Sequence, residues 1–315
     1  MKNKFKTCVK LNAIKTILLF VVLIFHQYFC FGQDYQWWNT KHNWDGVTPW
    51  YNYIIISPKF MGPNALPVPI IKNGMISQNS YFSLGVNNHF LSGDKTENLS
   101  TELYIRLFSP RVGLNIEIVP IEHYKMDTLT RDIRRARSFN GEGFASGDFY
   151  IGTYIQLIQN VKKLPDVLLT INLKTASGYN LYDVRYTDTP GYFFDLSFGK
   201  KINLNKQKTK FIKPFLMLGF YCWQILGNAY RQNDAFLYGV GSNFIFSHFE
   251  IKNSFGGYYG YIGNGDKPMV YRLSLSSTFN TVLNYEVKFQ QGLHDINYSS
   301  FGLSCNINLD KIKKK

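Results

Sequence analysis

Apolar and polar residues alternate with a period of two along most of this chain, from about residue 81 to residue 309. The clearest stretch is residues 300–309. Its apolar positions are Phe301, Leu303, Cys305, Ile307 and Leu309, and the positions between them are Gly302, Ser304, Asn306 and Asn308. Because successive side chains of a β-strand point to opposite faces, such a stretch has one apolar face and one polar face. In a closed sheet that spans a bilayer, the apolar face meets lipid and the polar face lines a lumen.

The alternation divides into about twelve stretches of strand length. The predicted strands are residues 81–91, 97–108, 111–124, 147–160, 166–178, 191–203, 209–225, 235–247, 249–262, 268–279, 282–293 and 296–309. An open sheet edge in lipid would leave backbone groups without hydrogen bonds, so a membrane protein with this pattern requires a closed barrel. We therefore predict an all-β fold, a closed antiparallel transmembrane β-barrel of about 12 strands. A secreted soluble β-protein would need a second sheet or helices over the apolar face, and the sequence supplies neither.

The lengths of the predicted connections alternate as well. Counting from the first strand, the odd-numbered connections are about 5, 22, 12, 9, 5 and 2 residues long and the even-numbered ones about 2, 5, 5, 1 and 2, as in barrels with short periplasmic turns and long extracellular loops. The asymmetry predicts an orientation for the barrel. It also places the start of the first strand and the end of the last strand at the end with short turns.

Residues 1–33 have the pattern of an export signal. Their charges are five lysines, which are Lys2, Lys4, Lys6, Lys10 and Lys15. The apolar run that follows, residues 16–25, is too short for a membrane helix of ~20 residues. We expect cleavage near Gly32 or Gln33, with an uncleaved membrane anchor as the alternative. Loss of the five lysines would lower the formal net charge from +14 to +9, so the exported chain stays basic.

The chain resembles the single-chain outer-membrane β-barrels of Gram-negative envelopes, over about residues 1–32 and 81–309. The resemblance rests on the signal, the alternation and the connection lengths, and no subfamily motif accompanies it. It implies an outer-membrane location, and the aromatic content of 17% fits the aromatic girdles of such barrels. Many of these proteins end on an aromatic residue, whereas this chain ends in a lysine-rich tail, residues 310–315. We therefore expect an internal assembly signal within residues 301–309.

Residues 34–80 do not alternate and form a separate N-terminal extension. They contain four tryptophans, and prolines at positions 58, 63, 67 and 69 exclude a central strand or a long helix. An extended segment is predicted. It either packs in the periplasm or enters the barrel as a plug, and the sequence leaves both alternatives open.

The phase of the alternation places ten charged side chains on the inner face. The acidic ones are Glu102, Glu117, Asp195, Glu250 and Glu286, and the basic ones are Arg106, Lys174, Lys252, Arg272 and Lys288. Arg or Lys on the lipid face would cost about 2–4 kcal/mol at mid-bilayer, which favours the inward placement. Equal numbers of both signs fit either a bracing ion-pair network or a transverse field along a narrow channel. A barrel of about twelve strands lies between filled and open barrels, so we expect a narrow or plugged lumen.

The longest predicted loop, residues 125–146, contains Arg131, Arg134, Arg135 and Arg137. Guanidinium groups bind phosphate with two parallel hydrogen bonds, so these four are candidates for contact with lipopolysaccharide phosphates. The alternatives are a loop that folds inward as a constriction and a merely solvated basic loop.

Catalytic, cofactor and metal sites are not predicted. The five histidines beyond the signal show no metal-binding spacing. Ser138 lies near Asn140 and Gly141 but lacks a histidine base, and His294 and Asp295 would face opposite sides of a strand. The aromatic residues lie in alternating strands rather than in a basic groove, so nucleic acid is not an expected partner.

The sequence therefore predicts an outer-membrane barrel without enzymatic activity that acts as a narrow, porin-like channel for small polar solutes. Its expected partners are outer-membrane lipid, lipopolysaccharide and such a solute. One alternative is a closed structural or binding barrel whose outer loops engage a partner. A less favoured alternative is an outer-membrane lipid enzyme.

Overall fold

The computed structural model describes residues 35–207, 209–223, 234–278 and 281–312. The predicted signal, residues 1–33, lies outside this part of the chain. Contacts divide the chain into a unit that ends at Gly46 and a second unit, Val47–Lys315. The described part of the first unit contains a short helix, α1 (Gln36–Lys41), in which the rings of Trp38 and His42 are 5.1 Å apart.

The second unit is built from antiparallel strands. They are β1 (Tyr81–Leu91), β2 (Asp94–Arg106), β3 (Val112–Met126), β4 (Glu142–Ala145), β5 (Tyr150–Ile158), β6 (Asp166–Lys174), β7 (Gly191–Gly199), β8 (Ile202–Asn203), β9 (Phe211–Cys222), β10 (Asp234–Ile245), β11 (Phe249–Tyr259), β12 (Met269–Ser277), β13 (Leu283–His294) and β14 (Ser299–Asn308). The helices are α2 (Thr128–Arg134) and α3 (Leu309–Ile312), with 3₁₀ turns at Trp50–Tyr53 and Leu181–Asp183. Among the described residues, no helix is long and apolar enough to cross a membrane.

Twelve of the strands close into a barrel, as the sequence predicts. Each pairs with its neighbours along the chain, β1 pairs with β14, and β9 pairs with both β7 and β10. The two remaining strands extend single neighbours, since β4 pairs with β3 and β8 with β9. The sequence analysis did not predict β4, which is short and lies within the predicted loop 125–146, whereas β8 lies at the end of the predicted strand 191–203. The prediction of a closed antiparallel barrel is confirmed.

The two ends of the barrel differ in their connections. We call one the loop end, where the described connecting residues are 92–93, 127–149, 175–190, 223, 260–268 and 295–298. We call the other the short-turn end, where the described connecting residues are 107–111, 159–165, 200–207, 209–210, 246–248, 278 and 281–282. The predicted strand 191–203 is interrupted after Gly199, and β8 continues it along β9, since Ile202 pairs with Ile212 in the register that pairs Gly199 with Phe215.

The outward-facing positions of the barrel are apolar and exposed. This apolar belt includes Leu84, Val86, Ile171, Leu173, Phe194, Leu196, Leu216, Leu218, Phe236, Val240, Leu273, Leu275, Val287, Phe301 and Leu303. Monomeric soluble proteins rarely expose contiguous apolar patches larger than a few hundred Å². A closed sheet with such a surface is stable in a bilayer, where lipid covers the belt and every strand has two neighbours.

The apolar belt predicts that a charged side chain on the outer face lowers the free energy of unfolding more at the middle of a strand than at its ends. Leu303, which is 60% exposed at the centre of β14, is the test position, and Leu283 at the first residue of β13 is the matched control. We expect Leu303→Arg to lower the free energy of unfolding in lipid vesicles by about 2–4 kcal/mol and Leu283→Arg by about 0–1 kcal/mol. Denaturant titration of the folded fraction measures both. Equal losses at the two positions would contradict the membrane placement.

Candidate functional site: the barrel lumen and the segment inside it

Residues 47–80, which we call the lumen segment, run through the barrel from the loop end to the short-turn end. The segment starts among the long loops. The carbonyl oxygen of Tyr53 accepts a hydrogen bond from Arg135 Nη1 at 2.8 Å, and the backbone N–H of Gly62 donates to Val184 at 2.9 Å. At the other end, the N–H of Ser80 donates to the Asp310 carboxylate at 2.9 Å. The segment therefore spans the height of the lumen before it enters β1.

The middle of the lumen segment is held through its carbonyl oxygens. Proline-rich backbone makes few hydrogen bonds of its own, and a buried carbonyl without a partner is destabilising. The barrel wall supplies the donors. Arg272 donates to the carbonyls of Val68 at 2.5 Å and Pro69 at 2.9 Å, and Lys252 Nζ donates to Ile71 at 2.6 Å. Two cations predicted to line the lumen thus bind the chain that fills it.

The last part of the segment passes close to the wall at Gly74. Its φ is +80°, and a Cβ there would lie 2.5 Å from the backbone nitrogen of Gly199. The position therefore requires glycine on both conformational and steric grounds. The Gln156 amide fixes this turn, because its nitrogen donates to Gly74 and its oxygen accepts from the N–H of Ile76, both at 2.8 Å.

The loop-end half of the lumen is filled by an apolar core. The lumen segment contributes Ile54, Ile56, Met61, Ala65, Leu66, Val68 and Ile71, and the facing strands contribute Tyr124, Met126, Phe193, Phe215, Met217, Tyr221, Ala235, Leu237, Tyr258 and Val270. All are buried. Gly239 and Gly256 make room for Ile71, because a Cβ at either position would come within 2.6 Å of its side chain. Buried, mainly apolar side chains therefore occupy this half of the lumen.

An ionic cluster of Asp94, Glu122, Arg134 and Arg185 lies beside this apolar core at the loop end. Arg185 donates to Glu122 at 2.7 Å and to Asp94 at 2.8 Å, and Arg134 donates to Asp94 at 2.6 Å. Asn64 of the lumen segment donates to Glu122 at 2.7 Å, so the cluster also holds the segment.

Burial and charge act in opposite directions on Arg185, which is completely buried in the connection 175–190. Burial alone lowers the pKa of its guanidinium, but the carboxylates of Glu122 and Asp94 outweigh this and raise that pKa well above its usual value. Arg185 therefore stays charged. The cluster is stable only as a complete set, because an unpaired charge at this depth is strongly destabilising.

The short-turn half of the lumen contains a polar vestibule, which we define by Glu102, Glu117, Glu286 and Lys288. The Glu286 and Lys288 side chains lie 3.2 Å apart and are 21% and 46% exposed although they face inward. Inward-facing groups are accessible only where the lumen holds solvent. Glu102 accepts a hydrogen bond from the Tyr81 hydroxyl at 2.6 Å. The vestibule therefore holds solvent-accessible space in the short-turn half, beside a second buried cluster of Ile76, Tyr104, Tyr154 and Leu168.

The ten charges predicted to face the lumen all occupy inward positions of the barrel strands, but they do not form one network. Glu286 and Lys288 pair with each other, whereas Arg272 and Lys252 bind the lumen segment. Glu250 accepts from Asn243. The remaining five have other partners. Lys174 pairs with Asp148 at 2.9 Å, Asp195 accepts from Thr170, and Arg106 donates to the Gln78 carbonyl at 2.6 Å. Glu102 accepts from Tyr81, and Glu117 accepts from Asn115 at 2.5 Å.

The four loop arginines proposed as phosphate contacts point into the protein. Arg131 pairs with Asp132 at 2.7 Å, Arg134 with Asp94, and Arg135 with the Tyr53 carbonyl. The Arg137 guanidinium lies 4.7 Å from the centre of the Trp50 ring. The loop thus folds over the lumen segment, which matches the alternative of an inward constriction better than a phosphate-binding rim.

Two histidine contacts bear on catalysis. His89 is within 2.7 Å of the Ser300 hydroxyl and 2.8 Å of Asn98 Oδ1, an arrangement that sequence spacing did not reveal because three strands contribute to it. All three residues are buried, with Ser300 7% exposed. The sequence argument against His294 and Asp295 was wrong in its geometry. Asp295 has φ +52° in a turn, and its carboxylate lies 3.3 Å from His294. The described residues contain no metal-binding cluster.

Comparison with known proteins identifies the fold. No family model and no curated protein sequence matches the chain. The COG4313 outer-membrane channel from Pseudomonas putida F1 is similar over 76% of this chain and 99% of its own, with 10% identity and a TM-score of 0.50. KdgM porin covers 71% of this chain and 98% of its own at 10% identity, and LpxR from Salmonella typhimurium covers 72% and 99% at 8% identity, with TM-scores of 0.42 and 0.43.

The fold shared with the Pseudomonas putida channel is the outer-membrane β-barrel that the sequence predicts. Together with the apolar belt, it confirms the predicted location in the outer membrane.

The ionic cluster predicts a large effect of one substitution. Arg185→Met keeps the apolar stem but leaves Asp94 and Glu122 with fewer partners, so we expect the free energy of unfolding to fall by about 3–5 kcal/mol. The control is Lys125→Ala, which breaks an exposed ion pair with Glu142 at 3.0 Å and is expected to cost about 0–1 kcal/mol. Denaturant unfolding of the reconstituted protein measures both. A loss for Arg185→Met as small as that of the control would show that the cluster does not hold the loop end.

Proposed function

We propose that this protein is an outer-membrane barrel closed by its own lumen segment, which acts as a structural or binding barrel through its loop end. The packed apolar core in the loop-end half of the lumen is the observation that carries the proposal. On this proposal, a solute that enters the vestibule meets this layer of buried side chains, which closes the route to the loop end.

The loop end supports a binding role because long connections are concentrated there. Arginines from two of these connections hold the loop end together. Arg135 donates to the Tyr53 carbonyl of the lumen segment, and Arg134 and Arg185 both donate to Asp94. Loops on a rigid scaffold are where binding functions commonly reside. The proposal assigns no catalytic role to His89 and Ser300, since the hydroxyl is buried.

A gated channel for small polar solutes is the second candidate function. The polar vestibule favours it, because Glu286 and Lys288 line solvent on the short-turn side of the core. The similarity to a protein described as an outer-membrane channel is also compatible with it. This function requires the lumen segment to withdraw. Arg272 and Lys252 oppose withdrawal, because they donate hydrogen bonds to its central carbonyl groups.

Single-channel recording in planar bilayers tests both functions. We expect the full chain to give no conductance steps, a variant that lacks residues 47–76 to conduct continuously, and the double variant Arg272→Ala, Lys252→Ala to open briefly. Lys288→Gln is the matched control, because it removes a lumen charge that pairs with Glu286 and not with the segment. We expect this control to remain closed.

Steady conductance by the full chain, at the level of the deletion variant, would contradict closure by the lumen segment. A closed deletion variant that still shows the mobility of a folded barrel would exclude the gated channel. Brief openings by the full chain that become more frequent in the double variant would favour the gated channel over the permanently closed barrel.

A further inference from the structure

Two neighbouring connections at the short-turn end carry an excess of lysine. Residues 159–165 join β5 to β6, and residues 200–210 join β7 to β9, so they lie side by side at one part of the barrel circumference. Neither connection contains an acidic residue. We call their described lysines the lysine rim. These are Lys162, Lys163, Lys200, Lys201, Lys206 and Lys210.

Lys200 holds the two connections together. Its ammonium donates to the backbone carbonyls of Val161 at 2.7 Å, Lys162 at 3.1 Å and Leu164. The nearest carboxylate along the chain, Asp166, pairs with Lys213 at 3.1 Å. The other five rim lysines are exposed. Lys201 lies with its ammonium 3.6 Å from the centre of the Phe211 ring. The rim is therefore a surface of one charge sign on two connections that Lys200 joins.

The rim is continuous with the apolar belt. Ile202 and Leu204 are 47% and 52% exposed and continue the outward-facing row of β7, where Phe194 and Leu196 belong to the belt. Val161 and Leu164 are 43% and 47% exposed within the neighbouring connection. Here the apolar surface of the belt ends and lysines begin. This boundary is expected to lie at the membrane depth where the lipid acyl chains end and the headgroups begin. Lysine suits this level because its stem packs on apolar surface while its ammonium reaches water.

We propose that the lysine rim binds the phosphate groups of anionic phospholipids in the membrane leaflet at the short-turn end. Clusters of four to eight Lys or Arg beside a membrane-embedded surface are typical of anionic-lipid binding. The continuity with the belt selects a membrane lipid over a soluble anion, because the ligand must contact both the apolar row and the ammonium groups. This binding is independent of whether the lumen is open or closed.

Native mass spectrometry of the detergent-solubilised full chain tests the proposal. The protein is given equal amounts of phosphatidylglycerol and phosphatidylcholine with matched acyl chains. We expect the wild type to retain phosphatidylglycerol with a preference of roughly tenfold, which decreases with added salt because the attraction is electrostatic. In the five-site variant the preference is expected to fall below about twofold. Its changes are Lys162→Gln, Lys163→Gln, Lys201→Gln, Lys206→Gln and Lys210→Gln.

The control variant removes charge from the loop end, with the changes Lys95→Gln, Lys125→Gln and Lys267→Gln. We expect it to keep the wild-type preference. Heat-dependent gel mobility establishes that each variant is folded, and the salt series on the wild type requires no variant. Equal retention of both lipids by the wild type, or an unchanged preference in the five-site variant, would overturn the proposal. Displacement of the lipid by millimolar inorganic phosphate would show a soluble-anion site instead and would also overturn it.

Discussion

Backbone hydrogen bonding is the constraint on which this structure depends. In lipid, an unpaired N–H or C=O group has no water to bind, so the sheet closes and β9 joins β7 to β10. Inside the barrel, the proline-rich lumen segment faces the same requirement without a sheet to join. Side chains of the barrel wall, Arg272 and Lys252 among them, donate hydrogen bonds to its individual carbonyl groups. One physical rule therefore shapes both the outer surface and the interior.

The charged side chains of the interior acquire their roles from this rule. Equal numbers of inward acids and bases fit a simple network of mutual pairs, and Glu286 with Lys288 forms such a pair. Other bases instead donate to the lumen segment or to loop residues, as Lys174 does to Asp148. The largest concentration of buried charge, around Arg185, binds the loop end to the segment through Glu122 and Asn64. Charge in this lumen fixes a filling segment in place more than it lines an aqueous path.

The barrel could be predicted from the sequence because a strand repeats its pattern over many residues. The predicted first strand, residues 81–91, has the bounds of β1, and the phase of the alternation assigned all ten charges to inward positions. The path of residues 47–80 could not be predicted, because an extended proline-rich segment has no period and its partners lie on distant strands. Arg185 was missed since it lies in a connection. The loop arginines were assigned to an outer rim because composition carries no information on direction, whereas Arg134 in fact reaches Asp94.

Accessibility of the lumen segment to a water-soluble reagent tests its placement most directly. Single cysteines are introduced at Val47, which is 86% exposed, and at Val68, which is 2% exposed. Cys222 and Cys305 are replaced by serine, and the protein is refolded without residues 1–33, which contain Cys8 and Cys30. The folded barrel in vesicles open to both sides is treated with a charged maleimide. Labelling is expected at position 47 and not at position 68, with full labelling of both after denaturation. Rapid labelling at position 68 in the folded protein would show that the segment does not fill the barrel.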